Sequence, residues 1–209
     1  MPSISELYSF SAPMYSPEDQ QRQHEKNQHS QAIYQFAKTC VANKCTLTPD
    51  RLSIHKTPQG KPYFNETSSW HISLSHNKEY SILLIANNPC AVDTELCLPR
   101  TYEDRLAAKL GRYFNYPANT QTLYPLWTLL EAWCKLHNQT LWQTLQVPNP
   151  LPAQIIDEYL NADSVYHAPY LICKLKPTSN SLVCTVTKLT QPPAQGIPLA
   201  PRTIIAATY

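Results

Sequence analysis

The apolar positions of this 209-residue chain follow two periods in turn. In "SPEDQQRQHEKNQHSQAIYQFAKTCVANK", Ile33, Phe36, Ala37, Cys40 and Val41 recur at helical spacing and predict a core-facing stripe. Ser16 is placed to cap this helix, with Pro17 at its first position and acids in its first turn. The first half is polar throughout and is expected to be exposed or frayed. Short strands are expected around "RLSIH" and "WHISL". "SILLIA" (residues 81–86), the turn residues "NNP" and then "CAVDTE" predict a hairpin. Helical stretches follow from about Tyr102 to Phe114 and from Asn119 to His137, the second with Leu123, Leu126, Trp127, Leu130 and Trp133 as its apolar set. "PYLICKLK" and "SLVCTVTK" alternate on either side of "PTSNS" and read as a second hairpin. The Pro-rich tail is expected to lie over the surface as extended chain. The order of helix, strands, helices and strands predicts an α+β protein in two halves, residues 1–98 and 99–209, joined near "LCLPRTYED". The halves share no repeat at the level of sequence.

Composition narrows the chemistry. A hydrophobic content of 43% with 10% aromatics suits a globular chain, and a formal charge of +2 gives no broad field for nucleic acid. Three glycines stand against nineteen prolines, and neither a GxGxxG nor a Walker-type loop is present. Phosphate, if bound, must be met by side chains or helix ends. The seven cysteines form no CxxC pair and sit in apolar or helical contexts, which suits a reducing compartment. The N-terminus lacks the pattern of a secretory signal, and no apolar run reaches the roughly 20 residues that span a bilayer. The expectation is a soluble, cytoplasmic monomer with no membrane or nucleic-acid partner.

Four short stretches carry candidate chemistry. In "CAVDTE", Asp93 and Glu95 lie one residue apart, so on a strand they share a face with Cα atoms about 7 Å apart. Like charges that close repel unless a cation lies between them. "QGKPYF" presents Lys61 from a stiff turn, and "WHISLSH" ends a strand with Ser75 and His76, a hydroxyl and an imidazole able to bond a phosphate. "WTLLEAWCK" sets Glu131 and Lys135 four apart on one helix face, with Glu131 rooted in an apolar stripe where a carboxylate needs a partner. Taken singly, each has an ordinary explanation: a solvated strand end, a surface turn, a structural Ser-His pair, a surface ion pair.

Their order and spacing together resemble the 4′-phosphopantetheinyl transferases of the surfactin-synthetase-activating type and the related holo-acyl-carrier-protein synthases. GKP, a strand ending in SH, D-x-E seventeen residues after the histidine, and W-T-x-x-E-A-x-x-K stand in the family's register between Ile33 and Lys135. The resemblance implies a pseudo-dimer of two similar α+β halves, each a small antiparallel sheet on a long helix, with the active site in the cleft between them. It implies Mg2+ held by Asp93, Glu95 and Glu131, and coenzyme A as co-substrate contacted by Lys61, Ser75 and His76. Lys135 would balance pyrophosphate charge, Glu131 would act as base, and Lys38 corresponds to a helical basic residue that grips the 3′-phosphate. The acceptor would be a serine of an apo acyl or peptidyl carrier protein. The chain departs from the usual pattern at Ala91 (commonly Gly), Asn77 (Ser) and Leu130 (Lys), and lacks the glycine after the helical lysine; no metal ligand is lost. Rival readings are a non-catalytic coenzyme A or carrier-protein binder and a metal-dependent hydrolase.

Overall fold

The computed structural model describes residues 5–11, 18–77, 79–97, 101, 103–117, 119–149, 151, 153–161, 170–177, 181–189 and 203–208. It is a mixed α+β protein with antiparallel strands. β1 (Ser5–Ser11) leads to the long helix α1 (Asp19–Cys45), a 3-10 turn at Pro49–Arg51, and then β2 (Ile54–Lys56), β3 (Pro62–Phe64), β4 (His71–His76), β5 (Tyr80–Ala86) and β6 (Ala91–Leu96). Four helices follow: α2 (Glu103–Phe114), α3 (Thr120–His137), α4 (Leu141–Thr144) and α5 (Ala153–Asn161). β7 (Tyr170–Pro177), β8 (Ser181–Leu189) and β9 (Thr203–Thr208) end the chain. The first sheet has the order β1-β5-β4-β3-β2 and the second β6-β7-β8-β9.

The "SILLIA" run is apolar at consecutive positions because β5 is buried on both faces. Leu83 and Ile85 pack with Ile33, Ala37 and Val41 of α1. Ile82, Leu84 and Ala86 pack with Val92 and Leu96 of β6. On the other side of β6, Ala91 joins a third core made by α2, α3 and α5. The layers therefore run α1, first sheet, β6, α3.

The expected hairpin of β5 and β6 does not form. Both edges of β5 are taken, by β1 and β4. β6 crosses over instead and pairs with β7, from Ala91 opposite Leu175 to Leu96 opposite Tyr170. Its free edge is satisfied by side chains: Val92 N–H donates to Ser73 Oγ at 3.1 Å and Thr94 N–H to Ser75 Oγ at 3.3 Å. A strand can leave its neighbour only where its backbone donors find other acceptors, and two serines of β4 provide them. β6 precedes residue 98, yet its hydrogen-bonded partner is a strand of the chain beyond it.

Other expectations also change. The polar half of α1 is largely exposed, as expected, but it is not frayed: it continues the helix from Asp19, with Glu18 at its N-cap. The expected cap at Ser16 and Pro17 lies outside the described residues. The end of the tail is a strand, β9, paired with β8; residues 190–202 lie outside the described residues. β1, β3, α4 and α5 had no counterpart in the sequence pattern. The β7–β8 hairpin, α2 and α3 form as expected. In a chain so poor in glycine, α1, α2 and α3 are each followed by a left-handed residue that is not glycine: Thr46, Asn115 and Asn138, with φ of 55°, 52° and 54°. Asparagine tolerates this conformation better than most side chains.

Candidate functional site

β4 ends where β6 and α3 meet. On a strand, neighbouring side chains point to opposite faces. Ile72 and Leu74 pack toward α1, so His76 shares their face while Ser73 and Ser75 face β6. The two residues expected to act together on one phosphate therefore open onto different surroundings.

On the β6 side, Ser75 Oγ donates to Asp93 Oδ1 at 2.7 Å. Lys135, reaching across from α3, donates to the same Oδ1 at 2.6 Å, to Ser75 Oγ at 2.9 Å and to the Val92 carbonyl at 3.4 Å. The Ser75 hydroxyl is thus fully used, giving one proton and accepting from Lys135 and from Thr94 N–H. Lys135 makes its ion pair with Asp93, 42 residues away, rather than an i,i+4 surface pair with Glu131. Asp93 is only 4% exposed, and its Oδ2 is buried with no hydrogen-bond partner among the described residues. A buried carboxylate oxygen without a donor is costly unless something binds it.

Asp93 and Glu95 share the face of β6 turned toward α3, as their spacing predicts. Glu131 stands on that helix, partly buried. Burial, then the charges of Asp93 and Glu95, push its carboxyl above the usual range, with Lys135 pulling the other way. The three acids are thus electrostatically coupled around one end of β6. Among the described residues, no three His, Cys, Asp or Glu side chains are gathered closely enough around one point to hold a metal ion. The chemistry of the set nonetheless suits a hard divalent cation: three carboxylates, one of them with a buried oxygen that lacks a partner.

On the α1 side the groups are basic. His29 Nε2 lies 3.1 Å from Ser81 Oγ, and Ser81 is the cross-strand partner of His76. His76 is exposed as a residue. Protein around its ring still removes water, and the charges of Lys135, Lys26 and His29 add to this, so its imidazole is held below the usual range; Asp93 opposes the shift. His29 is lowered by burial. Lys26 and His29 were not singled out in the sequence, although the signal was there. They fall seven and four residues before Ile33, so they continue the core stripe of α1 two turns and one turn back respectively. Lys38 does not join them. At about 100° per residue it stands on the opposite side of α1 from His29, and among the described residues it has no ion pair.

Lys61 sits at the end of the β2–β3 turn, half-buried. Its Nζ donates to the Leu136 carbonyl in the last turn of α3 at 3.0 Å. Burial lowers its pKa. With Lys135, Ser73, Cys134, Asn138 and Gln139 it lines a cavity of about 140 Å³.

No model of a known protein family matches this chain, and no curated protein sequence matches it. Among the described residues, no helix is long and apolar enough to cross a membrane.

Proposed function

We propose that this chain is a magnesium-dependent transferase that moves 4′-phosphopantetheine from coenzyme A to a serine of an acyl or peptidyl carrier protein. The observation that carries the reading is the meeting of Ser75, Asp93 and Lys135, from three separate elements, beside the coupled acids Glu95 and Glu131. These are the motif residues that an unrelated set of surface pairs would have no reason to bring together. In this reading the protein is a pseudo-dimer of two α+β halves, residues 1–98 and 99–209, with coenzyme A in the cleft between them.

Asp93, Glu95 and Glu131 would hold Mg2+, which when bound draws charge from the pyrophosphate. The chain's own residues do the rest. The carrier serine oxygen attacks the β-phosphorus, the bond to the bridging oxygen breaks, and adenosine 3′,5′-bisphosphate leaves with the electron pair. Glu131, whose proton affinity is raised by burial and by the charges of Asp93 and Glu95, takes the serine proton as a carboxylate, directly or through a water. Lys135 turns from Asp93 toward the departing phosphate, where an ammonium is worth most as charge accumulates. His76, His29 and Lys26 offer a basic surface for the nucleotide phosphates, a role assigned to them here in place of Lys38. The acceptor partner is an apo carrier protein; no membrane or nucleic acid takes part, and the site lies in a cytoplasmic monomer.

The test is incubation of the full chain with coenzyme A, Mg2+ and a panel of apo-carriers, followed by mass spectrometry. A gain of one phosphopantetheinyl group on a carrier supports the reading. Coenzyme A binding without any mass gain across the panel sinks it.

A further inference from the structure

The β2–β3 turn does more than present an ammonium. Lys61 Nζ donates to the Leu136 carbonyl at 3.0 Å, Thr57 Oγ1 to Asn138 Oδ1 at 2.6 Å, and Asn138 Nδ2 to Gln59 Oε1 at 3.0 Å. All three bonds join residues 75 to 81 apart in sequence and converge on the C-terminal end of α3. The turn itself is braced: Thr57 Oγ1 also accepts from Lys61 N–H at 3.1 Å, Gly60 N–H donates to the Thr57 carbonyl at 2.8 Å, and Gly60 adopts a φ of 89°. A helix leaves its last carbonyls unpaired and carries partial negative charge there. Leu136 is the residue directly after Lys135, so the carbonyl that Lys61 holds belongs to the turn that aims Lys135 at Asp93.

We infer that Thr57, Gln59 and Lys61 form a latch that fixes the end of α3, and that Lys61 is a positioning residue for Lys135 rather than a phosphate contact. The inference rests on the transferase reading for its kinetic consequence but not for its structural one. A Lys135 ammonium displaced by about 1 Å loses its place on the leaving group, an error that costs up to about a hundredfold in rate. A phosphate contact predicts something different, a raised KM for coenzyme A.

Lys61→Met keeps the apolar stem and removes the donor. Thr57→Val removes the second bond with no change of charge. Both should lower kcat about tenfold with KM for coenzyme A unchanged, and Lys61→Arg, which can still donate to the carbonyl, should recover most of the loss. The amides of residues 135–139 should exchange with deuterium faster in both weakened variants than in wild type. A raised KM with unchanged kcat in Lys61→Met, together with full kcat in Thr57→Val, overturns the latch. If the wild-type chain transfers nothing, the transferase reading fails and the exchange experiment alone decides: unchanged protection in both variants overturns the latch.

Discussion

Ser75 and His76 are neighbours on β4, yet they open onto two polar clusters built in opposite ways. Around Ser75 the groups are acidic and internal: Asp93 buried, Ser75 with all its bonds used, and Lys135 supplied by a helix from the far side of β6. Around His76 the groups are basic and line the edge of α1, where His29 and Lys26 extend the core stripe toward solvent. The first cluster spends its cation on its own carboxylate, whereas the second sets the Lys26 ammonium near two imidazoles held below their ordinary range. On the proposed reading, coenzyme A would meet the acidic cluster with its pyrophosphate and the basic one with a further phosphate. The difference also separates their expected failures: changes in the acidic cluster disturb both fold and chemistry, whereas changes in the basic cluster touch binding.

The largest effect should come from Asp93. Asp93→Ala removes a carboxylate of the proposed metal set and should lower phosphopantetheine transfer by about a hundredfold or more, measured as the rate of mass gain on an apo-carrier. Near-normal transfer would remove the acidic cluster from the chemistry.

Lys135→Ala tests the same cluster through stability. It leaves Asp93 buried beside Ser75 with no cation, at a cost of roughly 2–3 kcal/mol, discounted from the value for a fully buried pair because Lys135 is partly exposed. A surface i,i+4 pair would cost only a few tenths of a kcal/mol. Urea unfolding at pH 7 separates the two.

Glu131→Gln should move stability the other way. Burial and the charges of Asp93 and Glu95 raise the Glu131 pKa above its ordinary 4.5, so the folded state holds that proton more tightly than the unfolded chain does. Its contribution is fully present below pH 4.5 and is lost as pH rises through the higher folded value. Glutamine, which cannot ionise, should therefore raise the thermal midpoint at pH 7.5, with little gain at pH 4, while transfer falls. A midpoint lowered at both pH values would mean that Glu131 is held as a stabilising ion.

The smallest effect belongs to the basic cluster. His29 and His76 are held below their ordinary 6.5, so the unfolded chain binds more protons as the solution acidifies. Their contribution is complete above pH 6.5 and is lost as pH falls through 6.5 toward the lower folded values. His29→Gln should flatten the decline of thermal midpoint between pH 7 and 5. Lys38→Ala, on the opposite side of α1, should change neither this slope nor the affinity for coenzyme A; a loss of affinity would restore Lys38 to the site.

Local pattern carried much of this protein. Periodicity gave α2, α3, the stripe Ile33–Ala37–Val41 and the β7–β8 hairpin, because an amphipathic face is written at fixed spacing. It also put Asp93 and Glu95 on one face, since a strand alternates whatever it pairs with. It misjudged what depends on partners distant in sequence. The polar half of α1 is held in place through contacts such as His29 with Ser81, 52 residues on, which no local window contains. The β5–β6 hairpin was the reasonable reading of two strands across a turn, but Ser73 and Ser75 offered β6 other acceptors and β1 had already taken the edge of β5. Lys135 and Lys61 show the limit most clearly. Each lysine can reach several acceptors on a flexible stem. The sequence offered a surface pair with Glu131 or a place on the pyrophosphate for Lys135, and a surface turn or a coenzyme A contact for Lys61, but neither acceptor found in the fold. Which acceptor wins is an energy comparison between elements brought together by burial, so only the folded chain could set Lys135 on Asp93 and Lys61 on the end of α3.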